Sequence, residues 1–257
     1  MINALDALWI NTSPSLNYLA QPLLKYLAQA VVIANWEYQQ TQDEPCSLQV
    51  AVTLLHDYLN QHDRPLHLIG HGMGGIVGLM YARQFPERVR SLTLLSVASQ
   101  PAITWHAHYY VQRQLFACSR RRLLTHTISN LFGNTVPQPE DRLLAALHCD
   151  LDKSLCLHSL LKIAQVPQGG VTMPLLVCGS ETDAIICPPD IEAWHNWLKP
   201  EDALWQCPDG RHFFHYFYPQ SVGDRILEFW RLVLISRSNQ HEVEAQSDCS
   251  AIANSCH

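Results

Sequence analysis

Residues 66–95 read LHLIGHGMGGIVGLMYARQFPERVRSLTLL. The apolar run Leu66 to Ile69 leads into a turn carrying Gly70, Gly72, Gly74 and Gly75. Beyond the turn, Val77, Met80, Tyr81 and Phe85 recur at helical spacing, and a second apolar run extends from Ser91 to Val97. Strand, glycine turn, helix and strand make a βαβ unit, whose strands lie parallel and whose helix covers one face of the sheet. Four more apolar runs stand outward from it: Leu5 to Ile10, Val31 to Asn35, Pro174 to Cys178 and Ala203 to Cys207. Most lack polar alternation, as strands covered on both faces should. The pattern predicts an α/β fold, a mostly parallel sheet flanked by helices.

Between these runs lie amphipathic stretches. Ala51, Leu54, Leu55, Tyr58 and Leu59 predict a helix with one buried stripe, and Val222, Ile226, Phe229, Trp230 and Val233 predict another. Leu16, Leu19, Ala20, Leu23 and Leu24 repeat the pattern, with Pro22 marking either a kink or a second start. Residues 99–170 separate the fourth and fifth strands, too long a stretch for a loop in a compact domain, and read as an inserted helical lid. Trp105, His106, His108, Tyr109 and Tyr110 cluster where it begins, suiting either packing of lid on core or the wall of a mixed apolar and polar pocket. Residues 236–257 are polar and aperiodic and read as a disordered tail. The expected organisation is a core of 1–98 and 171–235, a lid of 99–170 and the tail.

A formal charge of -6 leaves no basic excess of the kind a phosphate backbone demands, so no nucleic acid partner is expected. The run Arg120, Arg121, Arg122 reads as a solvated helix face rather than an anion site. No apolar run approaches the ~18 residues of a membrane span, and the start MINALDALWIN lacks the form of a secretion signal. The nine cysteines show no CxxC spacing, so neither a zinc site nor a disulfide framework follows. They read mostly as small buried hydrophobes in a reducing cytoplasm, and no metal or cofactor is expected.

The turn then becomes specific. In the α/β-hydrolase family a strand, a G-x-S-x-G elbow and a helix present the nucleophilic serine. The elbow there commonly reads G-H-S-M-G-G, and the helix often ends in F-P-E-R-V. This chain reads GHGMGG and FPERV at those places, and on these motifs it resembles that family over nearly the whole folded part. The resemblance implies that Gly72 stands at the nucleophile position. It implies that LLVCGSETDAIICP carries the triad acid at Asp183, with Glu181 the competing carboxylate. It implies that CPDGRHFFHYFYP carries the triad histidine at His212, with His215 the weaker choice. An oxyanion hole would take one backbone N–H from Met73 and another from Thr12 or Ser13, although the His-Gly that often marks that loop is missing. The pocket would be lined by His71, Trp105, His106 and Tyr109.

Chemistry follows from the missing side chain. An activated serine needs its hydroxyl beside an imidazole oriented by a carboxylate, and Gly72 has no atom with which to attack. Met73 cannot form an acyl-enzyme, and Cys178 and Cys187 are not expected to reach the elbow. Glycine also relieves the strain of an elbow held at positive φ, so the turn can serve folding without catalysis. The leading expectation is a catalytically degenerate hydrolase that binds a small apolar ligand or a protein partner, resembling the N-myc downstream-regulated proteins in lacking the elbow serine. The alternative is an enzyme, a lyase, dioxygenase or esterase-like catalyst, using the His212 and Asp183 dyad as general base. Hydroxynitrile lyases and cofactor-independent dioxygenases of the family are similar in that respect.

Overall fold

The computed structural model describes residues 5–40, 46–156 and 166–235. The expected tail and residues 157–165 of the expected lid lie outside them. Six strands form one parallel sheet in the order β2-β1-β3-β4-β5-β6. They are β1 (Ala7–Asn11), β2 (Ile33–Glu37), β3 (Leu66–His71), β4 (Val89–Leu95), β5 (Leu175–Ser180) and β6 (Ala203–Cys207). The helices are α1 (Gln21–Leu27), α2 (Leu48–Leu59), α3 (Gly72–Gln84), α4 (Trp105–Leu115), α5 (Arg120–Phe132), α6 (Glu140–Lys153), α7 (Pro188–Glu192) and α8 (Phe214–Phe217). A further helix, α9, spans 219–235.

Two apolar layers explain why the strands lack polar alternation. Successive side chains of a strand point to opposite faces. Leu8, Ile10, Leu68, Leu92 and Val177 enter one core with α2 and α3, while Ala7, Trp9, Ile69, Leu95 and Cys178 enter the other with α1 and α9. Each fully buried leucine contributes roughly 1.5–3 kcal/mol, so both faces demand apolar residues.

Several predicted details shift. The buried stripe of α2 is Leu48, Ala51, Val52, Leu55 and Leu59, whereas Leu54 faces solvent and Tyr58 is half-buried. Both stripes fit a 3.6-residue period, and only packing against α3 selects between them. Pro22 does mark a second start: a 3-10 turn at Pro14–Leu19 precedes α1, which carries the proline in its first turn. Strands β1, β2, β3 and β5 run on to Asn11, Glu37, His71 and Ser180, past the apolar residues that revealed them. Polar residues close these strands at their carboxyl ends, where open α/β sheets bind ligands.

Three helices, α4, α5 and α6, occupy the stretch between β4 and β5. They pack on one another in sequence order, and α6 also packs on the Pro14–Leu19 turn. Arg120 and Arg121 form ion pairs with Asp152 and Asp141 of α6, in keeping with a solvated helix face.

Candidate functional site

Gly72 follows β3 directly and opens α3 with φ +50°. A side chain in that conformation costs roughly 1–3 kcal/mol. A Cβ placed there would nevertheless meet nothing within 4 Å. Strain opposes a side chain at this point, and crowding does not. The neighbouring glycines answer to a different need. A Cβ at Gly74 would strike the carbonyl oxygen of Ile10, and one at Gly70 would strike the backbone of Gly74 and Gly75. Close approach of α3 to the sheet, rather than turn conformation, requires those two.

His212 lines the same cavity as Gly72, and Asp183 meets it there, the two brought together from the loops after β5 and β6. His212 Nδ1–H donates to Asp183 Oδ2 at 2.9 Å, and both side chains are buried. Asp183 Oδ1 accepts from the backbone N–H groups of Ile185 and Ile186 at 2.8 and 3.1 Å, so the carboxylate is fixed by its own loop. Glu181, the competing acid, is exposed. The dyad carboxylate leaves His212 Nε2 as the ring atom free to act on a ligand.

Two groups that sequence reading did not assign to this task hold the backbone of His212. His71 Nε2–H and Ser96 Oγ–H both donate to the His212 carbonyl at 3.0 Å. Ser96 is buried, with φ 47°, a strained state for a residue bearing a side chain. His71 is held neutral because burial pushes its pKa well below the ordinary value, with His215 and His212 adding to the effect. His215, the weaker candidate for the triad histidine, lies beside the same cavity rather than on Asp183, its ring centroid 4.6 Å from that of His71. Burial pushes its pKa down to about 3, and its Nδ1 has no hydrogen-bond partner among the described residues.

The cavity above Gly72 has a volume of about 50 Å³. One water needs roughly 10–15 Å³ by the same measure, so the closed cavity holds a few waters or a small ligand. Trp9, Met73, Ile76 and Phe213 give it apolar walls, and Thr12, Ser96, His212 and His215 supply polar ones. Of the expected pocket residues, His71, Trp105 and His106 line it. Tyr109 does not. It is buried in the main core, one turn beyond Trp105 on the same side of α4.

On the inserted side, His106 meets a carboxylate that the motifs did not reveal. Asp150 of α6 is fully buried and accepts from His106 Nε2 at 3.0 Å, Ser15 Oγ at 3.1 Å, Ser13 Oγ at 3.4 Å and Ser154 Oγ at 2.6 Å. Burial alone would lower the His106 pKa, but the Asp150 and Cys156 side chains outweigh it and hold the ring protonated up to about 9. The sequence did carry a signal for Asp150. It stands on the apolar stripe of Leu143, Leu144, Leu147 and Leu151, where a carboxylate has to find partners.

The loop after β1 also corrects one expectation. The Ser13 N–H donates to Asn11 Oδ1 at 3.0 Å, so it is not available to an oxyanion. Thr12 and Met73 remain, the latter in the first turn of α3, where backbone N–H groups lack intrahelical acceptors.

A family model described as the alpha/beta hydrolase fold matches residues 55–151, which take in the elbow. The chain belongs to the α/β-hydrolase family. An uncharacterized protein of Nostoc sp., alr2406, is 51% identical over 90% of this chain and 93% of its own length. Another of Synechocystis sp., sll0249, is 41% identical over 87% and 89%. Among solved structures, a thermophilic esterase from Thermogutta terrifontis superposes with a TM-score of 0.68 at 18% identity, covering 90% of this chain and 91% of that one. Naproxen esterase from Bacillus subtilis gives 0.68 at 15% identity, with 90% and 85% covered. These superpositions speak for the fold.

In this chain His212, paired with Asp183, and Gly72 therefore line one cavity. Of the other hydroxyls around the cavity, Ser13 Oγ donates to Asp150, Ser96 Oγ donates to the His212 carbonyl, Thr104 Oγ1 accepts from the Ala107 N–H as the cap of α4, and Thr12 also lines the cavity. Cys178 is buried within β5, and Cys187 is exposed beside Asp190. Among the described residues no group of three or more His, Cys, Asp or Glu side chains could hold a metal ion. None of the described helices is long and apolar enough to cross a membrane.

Proposed function

We propose that this α/β-hydrolase is a binding protein that has given up acyl-enzyme chemistry and takes a small, largely apolar ligand into the cavity above Gly72. The observation that supports this reading is the open space at Gly72, in a cavity with apolar walls that His212 also lines. A few convergent polar groups in an apolar cavity suit recognition of a small molecule. The three inserted helices act in this reading as the lid, which must shift for anything larger than a few heavy atoms to bind. A protein partner seated over the closed lid is the other form that binding can take, and the reducing cytoplasm is the compartment that suits the free thiols.

The Asp183 and His212 contact favours a second reading, in which His212 abstracts a proton from a bound ligand while Asp183 orients the ring and stabilises the imidazolium. No covalent intermediate is needed.

Fluorophosphonate labelling and a short-chain ester panel separate the readings, each run on the native chain and on Gly72→Ser. The expected result is no labelling of the native chain, with labelling and ester turnover in the variant, because dyad and space are both in place. Labelling of the native chain at any residue of the cavity overturns the proposal. If the native chain shows turnover that Gly72→Ala retains and His212→Ala loses, the general-base reading replaces the binding one.

A further inference from the structure

Cys46 and Cys156 lie 110 residues apart in sequence, one just before α2 and the other just after α6. Folding brings the sulfur of the first against the main chain of the second. Cys46 Sγ–H donates to the Cys156 carbonyl at 2.8 Å, and the Cys156 N–H donates back to Cys46 Sγ at 3.1 Å. A sulfur in contact with both main-chain atoms of residue 156 makes the two cysteines neighbours in space, as a disulfide requires. Neither is in a disulfide here; Cys46 is exposed and Cys156 half-buried.

We propose that Cys46 and Cys156 are a modification site, a thiol pair that oxidises to a disulfide tying the amino end of α2 to the carboxyl end of α6. The pair is set apart from the other described cysteines by contact and access together. Cys178 and Cys207 are buried in the sheet, beyond the reach of an oxidant, Cys187 contacts Asp190, and Cys118 and Cys149 are half-buried, the first between α4 and α5 and the second on α6. The oxidant is a small-molecule disulfide such as oxidised glutathione. The exposed Cys46, as thiolate, attacks one of its sulfurs and expels one glutathione thiolate, leaving a mixed disulfide. The Cys156 thiolate then attacks the Cys46 sulfur and expels the second. Two protein thiols are oxidised, one small disulfide is reduced to two thiols, and the protons lost by the cysteines pass to the departing thiolates.

The cross-link has a consequence for the cavity. The Cys156 side chain hydrogen-bonds the His106 ring, and α6 also carries Asp150. Oxidation takes Cys156 Sγ away from His106 and fixes α6 against the core, on the side where the lid would have to lift. This holds whether the cavity serves binding or catalysis.

The test is disulfide mapping of the full chain. The protein is incubated with oxidised glutathione, natively and in 6 M urea, the remaining thiols are alkylated, and non-reducing digests are read by mass spectrometry. The expected result is a Cys46–Cys156 cross-linked peptide exceeding any other cysteine pair at least tenfold natively, with that preference lost in urea. Cys46→Ser and Cys156→Ser should each abolish the cross-link and leave the partner as a stable glutathione adduct. A mixture of pairings with no native preference, the same pairings with and without urea, or adducts that never resolve in the native chain would overturn the proposal.

Discussion

The two walls of the cavity are built on opposite electrostatic plans. On the sheet side, His71 and His215 are neutral, stripped of protons by burial, and stand around a dyad whose carboxylate is fixed by its own loop. On the inserted side, His106 is held protonated by Asp150, which gathers donors from the loop after β1, from α4 and from α6. The sheet side thus comes assembled by short-range geometry after each strand. The inserted side depends on one buried carboxylate that joins three segments, so it should fail more readily when that group is altered.

The largest expected effect tests this contrast directly. Asp150→Asn leaves a buried imidazolium without its counter-charge and should cost about 3–5 kcal/mol, measured by urea unfolding. Asp183→Asn keeps an oxygen that can still accept from Ile185 and Ile186, and should cost about 1–3 kcal/mol. Equal losses would erase the distinction between the walls.

Next comes pH. His215 titrates at about 3 when folded against an ordinary 6.5, so between those values the unfolded chain binds more protons and stability falls as pH drops. His71 acts in the same direction. His106 titrates at about 9, so its contribution is full below 6.5 and is lost as pH rises through 9. Thermal midpoints should therefore peak near neutrality. His215→Phe should flatten the acid limb alone and His106→Gln the alkaline limb alone, and crossed effects would break the assignment.

A smaller effect is expected at the elbow. Gly72→Ala should cost about 1 kcal/mol from backbone strain, with no penalty from crowding. A loss of several kcal/mol would mean that the space above Gly72 is not open. Smallest of all, Arg121→Ala removes an ion pair whose side chains are 74% and 84% exposed, and the thermal midpoint should not move.

Much of the sheet-side wall was legible before the fold was known, because each part is encoded within a few residues. The strand, the glycines and the helix after them are contiguous, and the segments holding Asp183 and His212 carry local motifs of their own. The inserted wall left fainter marks. Asp150 was an unexplained carboxylate on an apolar stripe, and Ser13 and Ser15 were ordinary loop residues until α6 came to lie over them. Leu54 was misplaced for a related reason, since a helical period fixes spacing but not the direction in which the stripe points, whereas Tyr109 shares a face with Trp105 and lies one turn beyond the cavity.

By itself the sequence determined the parallel sheet and the glycine turn after its third strand, because apolar periodicity and turn chemistry are local constraints on the backbone, whereas Asp183 and His212 were marked out by resemblance to the family. Only the tertiary structure decided which histidine meets which carboxylate and which loop amide is already taken. It also decided which of the described cysteines lie side by side. Those outcomes depend on side chains tens of residues apart arriving at one place, with water excluded, and the energies that follow exist only once they are there.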